Sequence, residues 1–272
     1  MPAIPDPLGV LSLSARLCCV GILLQSLELL SLHAELKNQR LLGWSGAQGA
    51  ANIFRRWAQW AQGYPMNALV LISRALAAGA ILLLPQTAGT TGAALLIMLL
   101  IAQLHFNRGS HLFFANSDHM NLVCLAGFSV AALPTASDTL RGCALAFVGF
   151  QACLGYVASG LDKLKTPQWR TGGRLVHIAQ DSSHRIPALG RMLARQPWLA
   201  RPLAWSVMLL EVLFPLSVVL PPAGFWFIIV GGLIFHASIA ILMALPGFFW
   251  AFAAAYPALY FVREWLALIG GP

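Results

Sequence analysis

Long apolar runs recur along the chain, separated by short breaks that carry the charged residues, glycine and proline. A helix needs ~20 predominantly apolar residues to cross the hydrocarbon core of a bilayer. On that measure the pattern predicts spans at residues 8–32, 67–84, 91–106, 112–133, 140–161, 203–220, 225–245 and 248–262. Outer-membrane strands would instead read as ~10-residue segments of alternating polarity, and the continuous runs exclude them. The expected fold class is therefore all-α: a polytopic transmembrane helical bundle of about eight spans, forming a single membrane domain over residues 1–272.

Two longer polar stretches interrupt the runs, at residues 33–66 and 162–202. The first contains Phe54-Arg55-Arg56-Trp57-Ala58-Gln59-Trp60, a pattern that fits a short helix lying in the interface, Trp at headgroup depth and Arg toward water. The second carries Arg174, Arg185, Arg191, Arg195 and Arg201 among Leu189, Met192, Leu193 and Trp198, the mixture of an amphipathic helix on the membrane surface. With eight spans, these loops and the one at 107–111 share a face, which their Lys and Arg make cytoplasmic, leaving both termini outside.

Composition sharpens this picture. Hydrophobic residues make up 58% of the chain and charged ones 10%, against about 25% charged in soluble domains, so the chain is an integral membrane protein, with a bacterial inner membrane as the expected location. The formal charge of +8 belongs to loops beside anionic headgroups; no nucleic-acid-binding pattern accompanies it. Residues 1–7 carry only Asp6 as a charge, which does not match a secretory signal peptide. Cys18, Cys19, Cys124, Cys143 and Cys153 all lie in apolar runs without a Cys-x-x-Cys or Cys/His spacing, so they read as small hydrophobes. No His or carboxylate pair sits at ligand spacing within one helix, and no metal is expected.

Ionisable groups inside apolar helices are expensive and mark function by default. Arg16 and Glu28 in the first span are too far apart to pair, about 18 Å along a helix, and Arg16 is expected to snorkel to one interface. Arg74 lies inside the second span. The fourth begins with the polar cluster Asn116-Ser117-Asp118-His119-Met120-Asn121, which must face protein or water. Asn116 and His119 share a helix face, whereas Asp118 and His119, being adjacent, diverge by about 100°. Lys163 follows the fifth run, Glu211 lies in the sixth and His236 in the seventh. Each has a bland reading beside the functional one. Lys163 is either a snorkelling lysine or a desolvated amine able to act as a base; His119, Glu211 and His236 either bridge helices by hydrogen bonds or line a site.

Gly160-Leu161-Asp162-Lys163-Leu164, followed by Trp169 and Gly172, resembles a motif of the HTTM (horizontally transferred transmembrane) domain family, which includes the vitamin K-dependent gamma-glutamyl carboxylases and small bacterial relatives. Asn116-Ser117-Asp118-His119 is similar to a segment early in a middle helix of that family. Ile234-Phe235-His236, with Leu245-Pro246-Gly247-Phe248-Phe249-Trp250-Ala251, resembles a third motif in the same order, and Glu211 stands where the family tends to have an acidic residue. The resemblance implies Lys163 as the base that deprotonates reduced vitamin K or a related quinol, and His119 as its hydrogen-bonding partner. It also implies His236, Glu211, Asn116 and Trp169 as residues lining the cofactor pocket. The chemistry it brings is that of a carboxylase (a lyase) and epoxidase, with O2 and CO2 as co-substrates and a peptide or small lipid-soluble molecule as substrate. Asp162 stands where the carboxylases have a further lysine, and a carboxylate near Lys163 would favour the charged amine. The large lumenal domain that binds propeptide in the carboxylases has no counterpart before Pro272, so oxidation without carboxylation is an equal expectation.

Two functional classes follow. One is a membrane enzyme using a lipophilic quinone. The alternative is a non-enzymatic membrane partner for maturation, export or immunity of a secreted peptide, since small bacterial relatives are associated with peptide toxins. A transporter would call for an inverted repeat and paired broken helices, and the sequence shows no internal repeat.

Overall fold

The computed structural model describes residues 5–32, 65–109, 116–180, 191–193, 195–243 and 245–269. The aromatic-arginine stretch at 54–60 lies outside them, as do His111, His184, Arg185, Leu189 and the side chain of Asn116. In chain order the helices are α1 (Pro7–Ser31), α2 (Met66–Leu83), α3 (Thr90–Gly109), α4 (Asn116–Ala131), α5 (Asp138–Lys165), the short α6 (Pro167–Arg170), α7 (Gly173–Gln180), α8 (Pro197–Leu213), α9 (Pro222–Leu242) and α10 (Pro246–Ile269). A 3-10 segment, Phe214–Val218, continues α8. Among the described residues there is no strand, and the chain is an all-α helical bundle as its pattern predicts. Seven of the described helical stretches are long and apolar enough to cross a membrane. The predicted fourth span is represented by α4, shorter than the others at 16 residues.

Contacts divide the chain into two compact units, one comprising Asp6–Leu145 and the other Met1–Pro5 with Ala146–Pro272. In the first, α1 packs on α2 and α4, α2 on α3, and α3 on α4. Asp6 starts α1 by accepting hydrogen bonds from the backbone N–H of Leu8 (3.2 Å) and Gly9 (2.9 Å), while Pro7, with no N–H to satisfy, takes the first helical position. Arg16 does not simply extend to an interface: its Nη2 donates to the carbonyl of Leu84 at 2.7 Å, an oxygen at the end of α2 that has no partner within its own helix. Leu29, Leu71 and Phe106 form an apolar cluster in this unit.

The second unit is built from the rest of α5 with α6 to α10; α9 packs on α10, and α8 on α6, α7 and α9. Exposed apolar side chains such as Phe227, Ile234 and Val219 cover its outside, as hydrocarbon contact requires. The bounds of α5 correct one expectation. Lys163 is not beyond the helix but inside its last turn, because Leu164 and Lys165 are good helix formers and the chain breaks only at Thr166-Pro167. At Gly172 φ is +82°, and a Cβ would lie 2.7 Å from the backbone of Ala200 and Arg201, so the turn between α6 and α7 seats directly on α8. Gly172→Ala is expected to lower stability by about 2–3 kcal/mol, combining left-handed strain with the clash. Unfolding in mixed micelles measures it; an unchanged midpoint would mean the turn is not fixed against α8.

Candidate active site around Lys163

Four residues on one face of α5 set the geometry: Tyr156, Ser159, Gly160 and Lys163, at the i, i+3, i+4 and i+7 spacing that stacks side chains along a helix. Gly160 permits the close approach of α8. A Cβ there would lie 2.8 Å from Val212 Cγ2 and 3.0 Å from both Glu211 Cβ and the Val212 nitrogen. That proximity brings the Glu211 carboxylate, 48 residues away in sequence, against Lys163.

The Lys163 ammonium has three N–H groups and three acceptors. Nζ donates to Ser159 Oγ at 2.5 Å and to both Glu211 oxygens at 2.7 Å, and the Ser159 hydroxyl in turn donates to Glu211 Oε1 at 3.2 Å. Trp169, from α6, turns its ring toward the amine, 5.5 Å from Nζ to the ring centroid, within the range of a cation–π contact. The Lys163 and Glu211 side chains are 17% and 4% exposed. Lys163 thus does not snorkel: its amine is turned to a buried carboxylate. Nor is Asp162 its counter-ion. Asp162 is exposed and pairs with Lys165 at 3.7 Å, since neighbouring residues diverge around a helix.

About two turns along the same face, Tyr156 centres a second hydrogen-bonded group. Its hydroxyl lies 2.6 Å from His236 Nε2 and 2.6 Å from the Tyr256 hydroxyl. All three side chains are buried. Phe214, two residues past the Glu211–Val212 contact with Gly160, stacks on Tyr156 with centroids 3.7 Å apart, and Phe252 stacks on His236 at 4.1 Å. The other nitrogen of His236, Nδ1, is buried and has no hydrogen-bond partner among the described residues. The two groups are within electrostatic reach, Lys163 acting on His236 and Glu211 on Tyr156.

Lys163, Glu211, His236 and Trp169 therefore all belong to the second unit, and the first three lie in two linked polar groups. His119 is exposed and, like the start of α4 at Asn116, belongs to the first unit. Its neighbour Asp118 is buried and accepts from Gln25 Nε2 at 3.3 Å, so the polar start of α4 faces protein through Ser117, Asp118 and Asn121. Tyr156, Tyr256 and Ser159 are site residues that the sequence reading passed over. Tyr156 and Ser159 could have been found by stepping back seven and four residues from Lys163 along the helix; Tyr256, on a distant helix, carried no such signal. Comparison of the chain with family models, with curated proteins and with solved structures found no match.

Proposed function

We propose that this protein is an integral membrane enzyme of the vitamin K-dependent carboxylase/epoxidase kind that its motifs resemble, with the Lys163–Glu211 pair as the proton acceptor for a reduced, quinone-like cofactor. The observation that carries the proposal is the closed arrangement of Lys163 Nζ, both Glu211 oxygens and Ser159 Oγ at 2.5–2.7 Å in an apolar setting. A lone buried amine would be costly to keep charged. Here a proton can move from Nζ to the carboxylate across 2.7 Å, and the products are two neutral groups, which burial tolerates better than two ions. The amine that results carries a lone pair and can serve as a general base, and Ser159 remains as a donor to Glu211.

The residues fit a hydroquinone-type group. Phe214 and Phe252, stacked on Tyr156 and His236, surround these groups with aromatic carbon, and His236 Nδ1 is a polar atom that none of the described residues satisfies. A reduced quinone, when bound, would supply electrons for reaction with O2. His236 would hold a hydroxyl or carbonyl of the ligand, its ring kept in place by Tyr156, and the aromatic layer would exclude water. Whether CO2 is fixed onto a peptide or the quinol is only oxidised is a question of substrate.

Purification in mild detergent, solvent extraction and mass spectrometry test the proposal directly. Wild-type protein is expected to retain a naphthoquinone and to oxidise the added reduced form in air. Lys163→Ala should retain the quinone yet turn over at least about a hundredfold more slowly, the usual scale of a lost general base. Absence of both bound quinone and turnover would leave Lys163–Glu211 as a structural ion pair and move the reading to a maturation partner for a secreted peptide.

A further inference from the structure

Residues 166–202 lead from one candidate span, Asp138–Lys165, into the next, Trp198–Val218, and hold six arginines against one acid, Asp181. Three of those arginines belong to the junction of α6, α7 and α8. Arg170 ends α6 and Arg174 lies in the first turn of α7. Gly172 stands between them, and a Cβ there would lie 2.7 Å from the Arg201 nitrogen. The three side chains thus leave the backbone around one tight contact. A second bond holds the same junction, since Trp205 Nε1 donates to the carbonyl of Arg170 at 3.1 Å.

Arg170, Arg174 and Arg201 are all exposed, and none pairs with a carboxylate among the described residues. Asp162, the acid that precedes them in α5, is engaged by Lys165 at 3.7 Å. On α7, Arg174 and His177 share one helix face and are exposed, while Leu175 and Ile178 are half-buried. On α8, Trp198 stands one turn before Arg201 and is 70% exposed. The surface therefore combines unpaired guanidinium groups with an open aromatic side chain.

We propose that this face, built on Arg170, Arg174, Arg201 and Trp198, binds the headgroups of anionic phospholipids through their phosphodiester. Unpaired guanidinium groups draw an anion, and their place in the chain selects which one. The junction lies where α5 ends and α8 begins, so it stands at the boundary of the bilayer, where lipid phosphates supply the negative charge. Tryptophan is the side chain that settles at headgroup depth. The forked donors of a guanidinium match phosphate oxygens. The proposal is independent of the chemistry at Lys163.

The test uses the full chain in dodecyl maltoside, titrated with phosphatidylglycerol or phosphatidylcholine of the same acyl chains, with thermal unfolding as the readout. Phosphatidylglycerol is expected to raise the midpoint saturably, as ligands of the native state do, and less so in high salt; phosphatidylcholine is not. The triple variant Arg170→Gln, Arg174→Gln, Arg201→Gln loses only exposed charges. It should unfold with wild type in phosphatidylcholine and need at least about tenfold more phosphatidylglycerol for the same rise. On wild type, a photoactivatable phosphatidylglycerol should label residues 170–180 and 198–205 ahead of the rest of the chain. Equal midpoints in the two lipids would overturn the proposal. So would an undiminished response of the triple variant or labelling elsewhere, either of which puts the lipid on another face. An equal rise with inorganic phosphate alone would reveal a general anion effect and overturn the lipid assignment.

Discussion

Lys163→Met is expected to destabilise the protein by about 3–5 kcal/mol, the range for removing one partner of a buried ion pair. The size comes from what is left behind. Glu211, only 4% exposed, would keep the Ser159 hydroxyl at 3.2 Å as a donor and lose both contacts with the ammonium. Glu211→Gln should cost less, about 1–2 kcal/mol, because an amide oxygen can still accept from Nζ and Lys163, at 17% exposure, has a route to water. The double variant Lys163→Met, Glu211→Leu removes both charges and should recover most of the loss, while remaining without activity. Equilibrium unfolding in mixed micelles gives the three values. If Lys163→Met and Glu211→Gln cost the same, the amine is not what satisfies the buried carboxylate.

Tyr156→Phe is expected to cost about 2–4 kcal/mol, the sum for two buried polar groups that lose their partner. The phenyl ring would keep its place on Phe214, since that stacking involves the ring faces. What disappears is the oxygen between His236 Nε2 and the Tyr256 hydroxyl. His236 would then have neither ring nitrogen bonded to any described residue, because Nδ1 already has no partner among them. Tyr256→Phe removes only a terminal bond of the same group and should cost about 1 kcal/mol. The order of the two variants decides the point: equal losses would mean that Tyr156 is not the centre of the group.

The helices were legible because hydrophobic runs of sufficient length leave few alternatives in a chain this apolar. Their ends were less so. Lys163 reads as a loop residue when Asp162, Lys163 and Lys165 are weighed by polarity, although nothing before Pro167 breaks a helix. Its partner was hidden for a different reason: the contact with Glu211 depends on Gly160 admitting α8, and no local pattern announces a contact made 48 residues away. Sequence adjacency pointed to Asp162 instead. At the polar start of α4, Ser117, Asp118 and Asn121 face protein, but which of its members turn inward is not evident in the pattern: Asp118 is buried and its neighbour His119 exposed. Arg74 was visible as a charge inside a span. That its Nη2 donates to Gln25 Oε1 and Gln103 Oε1 could be known only from the packing of α1, α2 and α3 together.

The length of α5 has a consequence for the lipid around it. Its 28 residues span about 42 Å at 1.5 Å per residue, well beyond a hydrocarbon core of ~30 Å. A helix this long either tilts or carries its last turn, with Lys163 two residues from the end and Trp169 beside it, toward the headgroup layer. In the second case a thinner bilayer would bring water nearer to the Lys163–Glu211 pair and a thicker one would bring hydrocarbon nearer. Acyl-chain length would then act as a control on the polarity around this amine.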